Sequence, residues 1–368
     1  MPSQQKPKDI VVVGAGIIGV STAYFLSQHP TFDAKSTTIT ILDGSEVAAG
    51  ASGKAGGLLA LDWHGPPTAS LAELSYGLHE SLAKQYDGAN KWGYRQLDTL
   101  SVQTNTKGPR RKAMVPSEID WLDNSIIEKV GVLGTTSTTA QVHPRKFCHT
   151  LLSEAEKVGV QFKLGHVTAI KESAVEYEDE SGNASSIPSD CTIVAAGPWT
   201  STLIKAPISA TRAHSITIKT TEPVTPHALF TEMTLKSGKH VSPEIYARSD
   251  EVYVCGEGDE VEPLPRKASQ VKVVESRCDI LKQYVDELSP VLKNGEIGVK
   301  QACYLPTVTR GSGGPLIGKI TDNLYVAAGH SCWGICLGPG TGKVMSELIM
   351  DGKVQSADIS YLNPQNLL

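Results

Sequence analysis

The spacing of apolar side chains predicts a strand, a helix and a second strand at the start of the sequence. Residues 10–13 form a short apolar run that is typical of a buried parallel strand. Residues 17–27 continue with apolar positions at helical spacing, and residues 37–43 form a second apolar strand. This order predicts a β-α-β unit.

Apolar runs of the same kind return in the middle and near the end of the sequence. The predicted elements are helices over residues 70–86, 145–158, 270–288 and 342–350, and strands over residues 160–163, 167–171, 192–197, 212–220, 252–256 and 324–329. The strands at 212–220 and 252–256 alternate apolar and polar positions in places, which indicates a region of a different kind. We therefore predict an α/β fold in which a discontinuous Rossmann-like domain carries an inserted α+β domain with a mainly antiparallel sheet.

The turn after the first strand carries a glycine motif with chemical meaning. It reads Gly14-Ala15-Gly16-Ile17-Ile18-Gly19. The first glycine permits the tight turn, the second lets the backbone approach a pyrophosphate, and the third lets the helix pack close to the strand. Asp43 ends the second strand, where a carboxylate accepts hydrogen bonds from a ribose diol. The motif and its context predict a dinucleotide site, and a glycine turn kept for steric reasons alone is the alternative.

Composition narrows the class of protein and of partner. The chain has 368 residues, 40% of them hydrophobic and 20% charged, which suits a globular protein of two domains. A formal charge of −5 is not the strongly basic charge of a nucleic-acid-binding protein, so we expect no nucleic-acid partner. No apolar run reaches the roughly 18 residues that span a bilayer. Seven cysteines at irregular spacing favour a reducing compartment, and we expect the cytoplasm.

Five separated segments resemble the D-amino-acid oxidase-like family of FAD-dependent oxidoreductases, which includes glycine, sarcosine and fructosyl-amino-acid oxidases. They are residues 11–19, 40–59, 142–167, 193–199 and 314–352. The resemblance implies FAD as the cofactor. With it, we expect residues 1–75, 140–205 and 312–368 to form the FAD-binding domain. Residues 76–139 and 206–311 would form the substrate domain.

The resemblance also implies which residues contact FAD. Beside the opening motif they are Leu42, Asp43, Gly50, Ala51, Ser52, Lys54, Gly56, Gly57, Leu58, Val167, Ala196, Gly197, Trp199, Cys303, Gly329, His330, Trp333, Gly334 and Ile335. Cys303 lies where sarcosine and fructosyl-amino-acid oxidases carry a cysteine bonded to the flavin. A buried free cysteine is the alternative, and the covalent link stays open.

The activity implied by the resemblance is oxidation of the C–N bond of an amino acid or related amine to an imine. Lys54 is the candidate for a cation near the flavin ring, and Tyr246, Arg248 and Arg310 are candidates for substrate contact together with His64. An arginine suits a carboxylate because its fork binds both oxygens, although a surface ion pair is the commoner role.

The electron acceptor stays open between oxygen and another molecule. Sarcosine-oxidase-like sequences carry their oxygen-activating lysine shortly after a strand that resembles residues 252–256. Here the sequence Glu257-Gly-Asp-Glu260 follows instead. Two other functions remain: a flavin-binding protein with a regulatory or trafficking role and vestigial turnover, and an NAD-dependent dehydrogenase. The sequence predicts neither the substrate nor the oligomeric state.

Overall fold

The computed structural model describes residues 7–108, 113–259, 262–311 and 313–367. In chain order the strands are β1 Asp9–Val13, β2 Thr38–Asp43, β3 Leu58–Ala60, β4 Arg95–Gln96, β5 Asp98–Asn105, β6 Ile127–Gly134, β7 Thr139–Gln141, β8 Gln161–Leu164, β9 His166–Ile170, β10 Ala174–Glu178, β11 Ala184–Pro188, β12 Cys191–Val194, β13 Ile208–Lys219, β14 His227–Thr234, β15 His240–Val241, β16 Glu244–Ala247, β17 Val252–Asp259, β18 Glu296–Val308, β19 Leu316–Lys319 and β20 Leu324–Ala328. The α-helices are α1 Ile17–Ser27, α2 Ala51–Lys54, α3 Ala69–Tyr86, α4 Gly88–Trp92, α5 Pro144–Glu156, α6 Thr200–Leu203, α7 Glu275–Leu288, α8 Pro290–Asn294 and α9 Gly334–Met350.

A six-stranded sheet brings together strands from the start, middle and end of the chain. Its order is β19-β20-β12-β1-β2-β8, with β19 antiparallel to β20 and the other pairs parallel. Val13 pairs with Leu42 on one side and with Val194 on the other. The residues that follow these three positions therefore meet at the same carboxyl edge of the sheet, where α/β folds bind their ligands.

A second, eight-stranded sheet holds the remaining long strands. Its order is β18-β13-β17-β16-β14-β5-β6, with β15 added beside β14, and every pair is antiparallel except β14 with β5. The predicted α/β fold with a mainly antiparallel second sheet is confirmed. Helix α3 crosses the predicted boundary at residue 75 as one continuous helix, and our domain boundaries stay a prediction.

The last helix is longer than the sequence predicts. The prediction of a helix over residues 342–350 is wrong at its start, because α9 begins at Gly334 and contains Pro339. Proline has no N–H to donate to the carbonyl four residues earlier, which is that of Ile335. His79 of α3 replaces the missing donor, because its Nε2 lies 2.9 Å from the Ile335 carbonyl oxygen. The first turn of α9 is thus held by a neighbouring helix.

Glycines let α9 pack directly onto α1. A Cβ on Gly338 would lie 2.5 Å from Cγ1 of Ile17, and one on Gly342 would lie 2.5 Å from the backbone of Ser21. These glycines belong to a packed helix interface rather than to a loop, which explains why a glycine-rich segment folds as a helix. Helix α7 also differs from its prediction, since it begins at Glu275 and not at residue 270.

Across the residues that the structure describes, no helix combines the length and apolarity needed to cross a bilayer.

Candidate active site

A cavity of about 650 Å³ is lined by residues of both large sheets. Its wall takes residues from the β1–α1 turn, the end of β2, α2, the end of β12 and the β20–α9 turn on one side, and from β13, β16, β17 and β18 on the other. Its volume lies in the ordinary range for small-molecule and cofactor sites.

The opening glycine motif has the geometry that its sequence predicts. Gly14 has a φ of +112°, and a Cβ there would lie 2.4 Å from the carbonyl oxygen of Ala195. A Cβ on Gly19 would lie 1.9 Å from the carbonyl oxygen of Gly14. Both positions therefore exclude any side chain, and the turn and the helix are held close to β1.

Two helix N-termini open into this cavity. Gly16, Ile17 and Ile18 of the α1 terminus line it, as do Gly334 and Ile335 of the α9 terminus. At neither terminus does the N-cap residue supply a side-chain cap or the first turn an acidic residue, and at α1 the Ile17 amide donates to Oγ of Ser52 at 2.9 Å. The remaining amides of the two termini present partial positive charge that suits a pyrophosphate and a second electron-rich group.

Asp43 connects the carboxyl edge of the sheet to the glycine turn. Its Oδ2 accepts a hydrogen bond from the amide of Ala15 at 2.7 Å, and its Oδ1 accepts one from the amide of Ser45 at 2.8 Å. Burial raises the pKa of Asp43, and these two amides oppose that rise. Each oxygen keeps a free lone pair at the cavity wall, which suits a ribose diol.

Lys54 and Cys303 lie together where α2 meets β18. The Lys54 ammonium donates to the carbonyl oxygen of Ala302 at 2.9 Å, and burial lowers the pKa of Lys54. Burial raises the pKa of the Cys303 thiol to about 11, which the nearby Lys54 charge partly opposes. Both side chains line the cavity, and the thiol is neutral at physiological pH.

The cavity gathers almost all of the predicted cofactor residues. Of that set, only Ala15 and Gly19 do not line it; Ala15 lies in the turn before α1 and Gly19 in the first turn of α1. Tyr246 lines it as well. These residues, two helix termini and a buried carboxylate at the sheet edge fit an elongated dinucleotide such as FAD.

The two arginines predicted to contact substrate lie elsewhere. Arg248 does not line the cavity, because its guanidinium donates to the carbonyl of Ala55 at 2.6 Å and pairs with Glu251 at 2.6 Å. It braces the loop next to the cavity. Arg310 is exposed and also lies outside the lining. Their contact with substrate stays a prediction that this lining does not support.

His64 also lies outside the cavity wall. Its ring packs edge-on against Trp333 with centroids 4.5 Å apart, and its Nε2 lies 3.8 Å from Sγ of Cys336.

Glu257 lies in the region where sarcosine-oxidase-like sequences carry their oxygen-activating lysine. Its carboxylate accepts hydrogen bonds from Arg277 at 2.9 Å and from the Tyr284 hydroxyl at 2.7 Å. Glu260 lies outside the described residues.

Sequence reasoning missed the covering segment, residues 262–270, which lies over the Asp43 end of the cavity. The Ser269 amide donates to Oγ of Ser45 at 3.1 Å, and the Trp199 indole donates to the carbonyl of Pro265 at 2.6 Å. Arg266 pairs with Glu178 at 2.6 Å. The covering segment carries no nucleotide-binding motif, so its local sequence does not predict that it lies over the cavity.

Sequence reasoning also missed three aromatic residues, one glutamate and one cysteine at the other end. They are Trp63, Phe230, Glu244, Tyr253 and Cys255. Glu244 is two residues before Tyr246 on β16, and side chains at i and i+2 of a strand share a face. Because Tyr246 is a candidate for substrate contact, this periodicity predicts that Glu244 faces the same site.

Two buried histidines make the fold sensitive to acid. Burial lowers the pKa of His79 to about 4 and that of His330 to about 3. The unfolded chain binds a proton at each of these histidines near pH 6.5, whereas the folded chain does so only at a much lower pH. The contribution of the neutral histidines to the free energy of unfolding is therefore fully present above pH 6.5. It is lost between about pH 6.5 and 4, by up to about 1.4 kcal/mol per pH unit for each histidine. Urea unfolding at pH 7, 6 and 5 measures this slope. His79→Gln should reduce it, and a stability that does not change over this window would contradict the assignment.

A family model described as FAD dependent oxidoreductase (DAO) matches residues 9–348. The chain belongs to the DAO family of FAD-dependent oxidoreductases. C1F5.03c of Schizosaccharomyces pombe is 47% identical, over 98% of this chain and 99% of its own length. TDA3 of Saccharomyces cerevisiae is 34% identical, over 97% of this chain and 94% of its own length. Both relatives are named provisionally as oxidoreductases, and neither name includes a substrate.

The DAO fold is also visible in solved structures. Glycine oxidase from Geobacillus kaustophilus superposes with a TM-score of 0.77 at 18% identity, covering 96% of this chain and 97% of that one. L-proline dehydrogenase from P. horikoshii superposes with a TM-score of 0.73 at 18% identity, covering 98% of each chain. At this identity the likeness establishes the fold.

Proposed function

We propose that this DAO-family chain oxidises the C–N bond of an amine to an imine, with FAD bound in the cavity of about 650 Å³. The observation that carries the proposal is the convergence of two helix N-termini, Asp43 and Lys54 on that one cavity. FAD supplies the two-electron redox chemistry when it is bound.

The protein's own groups divide the remaining tasks. The amides at the N-terminus of α1 would hold the pyrophosphate, and Asp43 would hold the ribose. The amides at the N-terminus of α9 and the Lys54 ammonium would stabilise negative charge on the reduced cofactor. The aromatic side chains around Tyr246 exclude water and orient the amine, which loses its ammonium proton before the C–N bond is oxidised.

The test is the absorption spectrum of the purified protein, followed by anaerobic addition of a panel of primary and secondary amines. We expect a flavin spectrum that bleaches with at least one amine, because reduction removes the visible absorption of the oxidised cofactor. A flavin spectrum that no amine bleaches would favour the alternative of a flavin-binding protein with a regulatory or trafficking role.

We further propose that the FAD is not covalently bound. Cys303 is buried as a neutral thiol with a pKa of about 11, and the thiolate is the nucleophilic form of a cysteine. Denaturation should therefore release the yellow chromophore into the filtrate. Chromophore that stays with the denatured wild-type chain, but leaves a Cys303→Ser variant, would establish the thioether instead.

A further inference from the structure

Aromatic rings enclose the end of the cavity that lies away from Asp43. The Trp63 and Phe230 centroids are 5.4 Å apart, and those of Phe230 and Tyr246 are 6.0 Å apart. Trp333 meets Trp63 edge-on at 6.4 Å. All four side chains line the cavity, and they come from the β3–α3 loop, β14, β16 and the turn before α9. We call these four residues the aromatic enclosure.

Glu244 places one carboxylate in the aromatic enclosure. It lies directly across from Phe230 in the β14–β16 pair, and it lines the same cavity. Its Oε2 accepts from the Tyr246 hydroxyl and from the Cys255 thiol, whose Sγ lies 3.7 Å away. Burial raises the pKa of Tyr246 and that of Cys255 well above their ordinary values, so both groups keep their protons and act as donors.

The other oxygen of Glu244 remains available. Among the described residues, Oε1 has no hydrogen-bond partner, whereas both donors converge on Oε2. A half-buried carboxylate with one free oxygen, set among aromatic faces, attracts a cation by charge and by cation–π interaction.

No free arginine on the described wall complements a substrate carboxylate. The lysines and arginines that line the cavity are Lys54, Arg212, Arg266 and Lys267. Arg212 is paired bidentately with Asp259, and Arg266 is paired with Glu178. Arg266 and Lys267 belong to the covering segment at the Asp43 end, and Lys54 donates to the backbone of β18.

We propose that the substrate is a cationic amine without a carboxylate, with Glu244 as its counter-charge and the aromatic enclosure around its ammonium group. The proposal rests on the proposed function, because it names the substrate class of the same cavity. It also narrows that function, since an amino acid would bring a carboxylate next to Glu244, and like charges repel there.

The test measures binding rather than turnover, on the FAD-loaded protein. Three compounds of nearly equal shape are titrated by calorimetry: choline, its neutral carbon analogue 3,3-dimethylbutan-1-ol, and betaine, which carries a carboxylate. We expect choline to bind at least about tenfold more tightly than either of the others. Glu244→Gln keeps the side-chain shape and removes the charge, so it should weaken choline binding by about tenfold or more.

The matched control is Glu232→Gln, an exposed carboxylate further along the neighbouring strand β14 that does not line the cavity, and this substitution should leave choline binding unchanged. A thermal melt of both variants confirms that each is folded. Betaine binding as tightly as choline, equal binding of the neutral analogue, or wild-type choline affinity in Glu244→Gln would each overturn the proposal. Choline selectivity without bleaching by any amine would instead contradict the proposed oxidation and leave the cation site standing.

Discussion

Gly19→Ala is expected to lose FAD and to lower the free energy of unfolding by about 3 kcal/mol or more. The new Cβ would lie 1.9 Å from the carbonyl oxygen of Gly14 and 3.2 Å from Cγ1 of Val12. Backbone cannot be displaced as a flexible side chain can, so α1 must move away from β1. That movement takes the amides of the α1 N-terminus off the cavity wall, and flavin content falls together with stability.

The control for this prediction is the same substitution on another helix. Gly77 lies within α3, it is exposed, and a Cβ there would meet nothing within 4 Å. Gly77→Ala should raise stability by about 0.5–1 kcal/mol, because alanine is the better helix former. The ratio of flavin to protein after gel filtration and a urea titration compare the variants. A Gly19→Ala protein with wild-type flavin content would contradict the close packing of α1 on β1.

The part of the site that the sequence predicts well is local. The turn from β1 to α1, with Gly14 and Gly19, is set by a few consecutive residues whose steric demands can be read directly. Asp43 follows from the same β-α-β unit. These positions needed no information from distant segments.

Three differences between the prediction and the structure involve distant partners. The start of α9 was missed because Pro339 normally ends a helix, and the compensating donor, His79, is 256 residues from the carbonyl that it satisfies. Arg248 is predicted to contact substrate, whereas the structure shows it bound to the carbonyl of Ala55, 193 residues away. Glu244 was missed because its aromatic neighbours come from separate segments. Tertiary contacts, not local preferences, decide each of these positions.

Arg212→Met is the second substitution with a large expected effect, a loss of about 3–5 kcal/mol in the free energy of unfolding. Arg212 and Asp259 face each other across β13 and β17, with side chains only 3% and 6% exposed. Two parallel hydrogen bonds join them, at 2.9 and 3.1 Å. Removing the guanidinium leaves a buried carboxylate without its two charged hydrogen bonds, with the ring of His214 beside it, whose Nδ1 lies 3.9 Å from Oδ2 of Asp259.

A double variant separates the cost of the orphaned charge from the value of the pair. Arg212→Met with Asp259→Leu removes both charges, so it should recover most of the stability that the single variant loses. The exposed pair Lys146–Asp250, 2.7 Å apart with side chains 46% and 51% exposed, is the control. Lys146→Met should cost less than about 1 kcal/mol, because water solvates the remaining carboxylate. A double variant as unstable as Arg212→Met alone would contradict this prediction. The stability lost by Arg212→Met would then come from the missing pair between β13 and β17 and not from the uncompensated charge.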